Sequence, residues 1–100
     1  MIEVVIREGV FGSIIYLENI GRISLRDMSI DGHEICIEEA KQIYLKKDLT
    51  FPYKKIEIEE GLLERIVNFA KNPPEDTRLK NQQIEDLREQ LRENYSIDVF

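Results

Sequence analysis

The chain has 100 residues, 42% hydrophobic and 34% charged, with five Gly and three Pro. That is enough for one domain with a small core, and it argues against a disordered, collagenous or membrane-spanning chain. Fourteen Lys and Arg against 20 Asp and Glu give a net charge of −6. Each half of the chain carries −3, nine acidic against six basic residues in 1–50 and eleven against eight in 51–100. No basic stripe can neutralise phosphates, which excludes general nucleic-acid binding.

Cys36 is the only cysteine, so no internal disulfide forms, as suits a reducing compartment. Met1 to Glu8 brings in charges at once and offers no uninterrupted signal segment. The expectation is a cytoplasmic protein, whether of its producer or of an infected or invaded cell.

Residues 1–59 read as sheet. Ile2, Val4 and Ile6 alternate with Glu3 and Arg7, the period-2 mark of a half-buried strand. Val10–Leu17 is apolar on both parities, with Phe11, Ile15 and Leu17 on one and Val10, Ile14 and Tyr16 on the other. Such a strand is central, or a helix covers its second face. Asn19 and Gly21 mark a turn. In Arg22–Ile30 the apolar phase slips, because Ile23 and Leu25 share one parity and Met28 and Ile30 the other. A bulge at Arg26–Asp27 would reset it.

Asp31-Gly32 then predicts a two-residue hairpin that pairs Ile30 with His33, Met28 with Ile35 and Arg26 with Ile37. Segment 40–49 suits either a strand or a short helix. Pro52 interrupts what precedes it, and Tyr53–Glu59 alternates again with Ile56 and Ile58 inward.

From Glu60 the period changes. Leu62, Leu63, Ile66, Val67, Phe69 and Ala70 form a stripe at helical spacing. Pro73-Pro74 ends that helix, and Asn72 followed by Glu75 resembles a capping box for a second helix over about Pro74 to Asn94. The second helix is polar except for Ile84, Leu87, Leu91 and then Tyr95. A stripe this narrow docks on the sheet or a neighbouring helix, or makes a dimer seam. The tail 96–100 is an edge strand or a docking peptide. The predicted fold is α+β: an N-terminal antiparallel meander of about four to six strands packed by a helical hairpin over 60–95.

One His and one Cys leave little for catalysis. No phosphate loop, nucleophile elbow or paired-His motif is present. Asp27, Asp31, His33 and Glu34 crowd one turn, where they read as turn-formers and solvated neighbours. The expectation is a protein that is not an enzyme and uses neither metal nor cofactor.

Arg22-Ile-Ser-Leu-Arg26 and Asp27-Met-Ser29-Ile-Asp-Gly32 resemble the two PilZ motifs over eleven residues. That resemblance implies a cyclic dinucleotide held by arginines. Ser29–Ile35 and Ile58–Phe69 resemble elongin C and related BTB/POZ adaptors, which implies a role in a cullin-type ubiquitin ligase. Ser96-Ile97-Asp98-Val99-Phe100 is similar to the peptide by which bacterial replication proteins dock on the sliding clamp.

By elimination, the leading expectation is a small protein that binds another protein, of the inhibitor, immunity or anti-defence type. Its candidate partner-binding residues are Ile84, Leu87, Leu91 and Tyr95 on the second helix and Ile97, Val99 and Phe100 in the tail, with a homodimer through the first three. The alternative is an anionic small-molecule or cyclic-nucleotide binder using Arg22, Arg26, Asp27 and Ser29.

Overall fold

The computed structural model describes residues 1–10 and 12–97. Phe11 and the tail residues Val99 and Phe100 lie outside the described residues. Five strands form one antiparallel sheet, β1 (Ile2–Arg7), β2 (Ile14–Leu17), β3 (Gly21–Ser24), β4 (Ser29–Asp31) and β5 (Tyr53–Ile58), in the order β4-β3-β2-β1-β5. Three helices accompany it, α1 (Glu34–Leu45), α2 (Glu60–Lys71) and α3 (Thr77–Tyr95). The fold is therefore α+β with an antiparallel sheet. No helix of the described residues is long and apolar enough to cross a membrane.

The strands expected at Ile2–Arg7 and from Tyr53 form. In β1 the parity of Val4 and Ile6 faces one core, and β5 pairs with it in register, Ile2 opposite Ile58 and Arg7 opposite Tyr53. β2 is central, and Ile15, Tyr16 and Leu17 are all buried, as its two apolar parities require. The β2–β3 turn needs left-handed backbone at Asn19 (φ 67°) and at Gly21 (φ 117°), where a Cβ would collide with the Asp31 carbonyl oxygen.

The phase slip in 22–30 is real, but a turn causes it rather than a bulge. β3 and β4 form a hairpin with Ser24 opposite Ser29 and Ile23 opposite Ile30, joined by Leu25–Met28. Met28 is left-handed (φ 55°), which brings it and Leu25 into the same core. Asp27 Oδ1 fastens the turn by accepting from the Ser29 N–H (3.1 Å) and Oγ (2.7 Å).

The hairpin expected at Asp31-Gly32 does not form. β4 stops at Asp31, whose Oδ1 accepts from the His33 N–H at 3.3 Å, and α1 begins at Glu34. Ile35, expected inward, is 81% exposed. The buried face of α1 is Cys36, Ala40 and Ile43, which recur at i, i+4 and i+7. This settles segment 40–49, which is helical as far as Leu45. α1 carries the chain from the β4 edge to the β5 edge, so the sheet is covered on both faces, not one.

Two cores follow. Val5 and Tyr16 meet Ala40 and Ile43 under α1. On the opposite face Val4, Ile6, Ile15, Ile23 and Ile58 share one cluster with Ile66 of α2 and Leu87 and Leu91 of α3. Each such side chain contributes about 1.5–3 kcal/mol on burial.

Tyr44 locks α1 to the sheet. Its hydroxyl donates to the Tyr16 carbonyl (2.6 Å) and accepts from the Val5 N–H (3.2 Å), between two paired strands.

α3 starts at Thr77, later than the Asn72 cap predicted. Asp76 caps it instead, accepting from Arg78 N–H (2.9 Å) and Leu79 N–H (3.2 Å). The helix ends at Ser96, which is left-handed (φ 54°), and Ile97 N–H reaches the Leu91 carbonyl at 3.3 Å. Ile97 thereby turns into the core at 1% exposure.

Candidate binding surface

The register sorts the α1 side of the sheet into rows. One row runs Lys55, Val5, Tyr16, Arg22, Asp31 across the five strands and lies under α1 or beside it. The next runs Tyr53, Arg7, Ile14, Ser24, Ser29. A helix is only about 10 Å across, so α1 cannot cover both rows of strands spaced by ~7 Å per residue pair. The second row is the floor of a trough.

Two adjoining hollows mark it, of about 500 Å³ beside Arg22, Ser29 and His33 and about 390 Å³ beside Arg7, Gly9 and Val10. Ile14 and Ser24 line both. Val10, which lines the second hollow, is 94% exposed, and Phe51 on the loop before β5 is 84% exposed. The Glu8 N–H bonds the Pro52 carbonyl at 2.9 Å, and Lys54 pairs with Glu8 at 2.6 Å, so the two loops are tied together.

The polar groups differ in how far they are already engaged. Arg22 lies 3.7 Å from Asp31 and 4.0 Å from Glu39. Partial burial works against its charge, but Cys36, Glu39, Tyr16 and Asp31 together raise its pKa. The His33 ring, 2.6 Å from Asp31, and the His33 N–H hold the Asp31 carboxyl down at about 2. Burial, with Asp31 beside it, pushes the Cys36 thiol up, so it is a poor source of thiolate.

Arg7 sits 6.0 Å over the Tyr53 ring, and among the described residues no ion pair to it is seen. Tyr16 packs 6.1 Å from Tyr53, and its buried hydroxyl has no hydrogen-bond partner of good geometry. Burial and then Glu39 raise its pKa to about 12, while Arg7 pulls the other way.

The residues singled out from sequence scatter over this frame. Ile84, Leu87 and Leu91 are 9%, 3% and 0% exposed in the chain's own core, so the stripe is no open docking or dimer seam. Its residues share one core cluster with strand residues and with Leu62, Ile66 and Phe69 of α2, and Arg65 donates to Gln90 at 3.3 Å. Tyr95 accepts from the Glu59 N–H at 2.9 Å and Ile97 is buried, so both tie the end of α3 to the rest of the chain.

Of the alternative set, Arg22 and Ser29 line one hollow, whereas Arg26 and Asp27 do not. Arg26 lies in the Leu25–Met28 turn, beyond the strand that holds Arg22. Ser29 outweighs the partial burial of Asp27, whose carboxyl stays below its usual pKa while it braces the turn. Among the described residues, no three His, Cys, Asp or Glu side chains come together as a metal would need.

Sequence reasoning missed Arg7, Ile14, Ser24 and Tyr53 as surface. Their signal was cross-strand register, which becomes readable only once the strand order is known. No protein family matches the chain, and neither a curated protein nor a solved structure is similar to it.

Proposed function

We propose that this protein is not an enzyme and acts by binding another protein through the trough and its rim. The observation that carries the reading is the half-covered sheet face. A polar floor with one apolar side chain at its centre, Ile14, is edged by the solvent-facing Val10, and a second exposed apolar side chain, Phe51, stands on the loop whose Pro52 carbonyl accepts from the Glu8 N–H. Tyrosine and arginine, the residue types enriched where interfaces hold tightest, stand together on it as Tyr53 and Arg7. The state of the two nucleophile candidates supports the non-catalytic half. His33 is exposed and held by Asp31, and Cys36 is buried with a raised pKa.

The test is capture of a partner from the cells that make the chain, using wild type and a Val10→Asp/Phe51→Asp variant. Both positions are exposed, so the variant keeps wild-type stability within about 0.5 kcal/mol and loses the partner. Equal capture by both chains would end the reading.

A further inference from the structure

We infer that β5 is a self-association edge, on which a second copy of the chain lays its own β5 antiparallel, so that two five-stranded sheets become one. The contact centres on residues 55–57, off the floor of the trough, and does not depend on the binding reading above.

β5 closes the order of strands, so its outer side has no neighbour in the sheet. The Glu8 N–H bonds the Pro52 carbonyl at 2.9 Å, and bonded positions alternate along an antiparallel ladder. Lys54, Ile56 and Ile58 therefore turn their main-chain groups to β1, while Lys55 and Glu57 turn theirs outward. The Val5 N–H agrees, since it meets the Tyr44 hydroxyl on the β2 side rather than its β5 neighbour Lys55. Both ends of the outer edge are already engaged. Tyr53 N–H donates to the Thr50 carbonyl (2.9 Å) and Glu59 N–H to the Tyr95 hydroxyl (2.9 Å). Between them, the N–H and C=O of Lys55 and of Glu57 take no hydrogen bond seen among the described residues. Free donors and acceptors in this alternation are a template for another strand.

Main chain and side chains choose the same occupant. A two-fold axis through Ile56 sets Lys55 of each copy opposite Glu57 of the other, which joins all four free groups of each chain in reciprocal pairs. Opposite residues share a face, so each Lys55 ammonium comes beside the other copy's Glu57 carboxylate. Within one chain Glu57 stands opposite the like charge of Glu3, and Lys55 lies 3.7 Å from Glu3. Pairing leaves each Lys55 between its own Glu3 and the other copy's Glu57. On the opposite face Ile56, half-buried at the margin of the larger core, meets its symmetry mate. Moving the axis to Lys55 or to Glu57 sets like charges face to face. It also calls on the Tyr53 or Glu59 N–H, which are engaged. One register of one sequence, this chain's own, meets both demands.

Sedimentation equilibrium on the full chain, with amide hydrogen exchange read residue by residue, tests this. The wild-type chain should pass from monomer to dimer as concentration rises. Exchange at Lys55 and Glu57 should slow with it, while Ile56 is protected by β1 at every concentration. Lys55→Glu and Glu57→Lys should each weaken self-association by about tenfold, because each creates two like-charge pairs per dimer. Both side chains are exposed, so each variant folds as wild type does. Mixed in equal amounts, the two variants should dimerise with each other, since one then carries only acids and the other only lysines at the paired positions. A wild-type chain that stays monomeric into the millimolar range overturns the inference. So does a dimer that leaves exchange at Lys55 and Glu57 unchanged, or a mixture that pairs no better than either variant alone. None of these failures touches the trough reading, whose test is capture of a different protein.

Discussion

Tyr44 shows how one hydroxyl can join two elements. Its ring comes from α1, yet its oxygen serves the Val5 N–H and the Tyr16 carbonyl at a paired position of β1 and β2. Tyr44→Phe keeps the ring and removes the oxygen, leaving a buried donor and a buried acceptor short of a partner. The expected cost is about 1–3 kcal/mol, read as a lower denaturation midpoint with an unchanged slope.

Tyr16 carries a pH dependence of its own. Its folded-state pKa of about 12 lies above the ordinary value of 10.0, so in the window between them the native state holds a proton that the unfolded chain releases. Stability is unaffected below that window and falls as pH rises through it. Denaturation midpoints measured across this range should fall for wild type, and less steeply for Tyr16→Phe. Equal slopes in the two proteins would contradict the assignment.

Among the elements, α3 is the most polar and depends most on its ends. Asp76 supplies two of the hydrogen bonds its first turn lacks. Asp76→Ala should therefore cost about 1 kcal/mol, and amide exchange should quicken first around Thr77 to Lys80. Asn72→Ala, at the position the sequence favoured for the cap, should leave the α3 start unchanged, because Pro73 and Pro74 separate it from the helix.

The same element answers the question of a dimer through α3. Leu91 is fully buried among residues of this chain, so Leu91→Ala should cost about 2–5 kcal/mol. If the stripe packs internally, that loss is independent of protein concentration; a loss that grows with concentration would restore the seam between copies. α1 teaches a related lesson. Cys36, Ala40 and Ile43 repeat at helical spacing, and the Asp31-Gly32 pair, which is common in hairpins, outweighed that pattern in the sequence reading. The dipeptide describes only a local turn preference, whereas the helical face obtains its free energy from a whole sheet surface.

At the scale of the molecule, chain-order patterns and spatial ones separate cleanly. Period-2 runs in Ile2–Arg7 and Tyr53–Ile58, the doubly apolar β2 and the helical stripe from Glu60 were legible because each reflects how neighbouring residues alternate about their own backbone. The turn at Asn19–Gly21 and the phase slip before Ile30 were legible for the same reason, although the device behind the slip was not. The candidate surface was not legible. Arg7, Ile14, Ser24 and Tyr53 are up to 46 positions apart in sequence, and only the order β4-β3-β2-β1-β5 puts them in one row.

The amino-acid order by itself determined the α+β class and the kind of most elements, α1 excepted, because backbone alternation and helical spacing are properties of short stretches. Tertiary structure alone decided which side of the sheet each helix covers, and hence which side chains stay open to a partner. The reason is steric: one helix crossing from the β4 edge to the β5 edge buries a band narrower than the strands are long. What lies outside that band becomes surface whatever its local pattern.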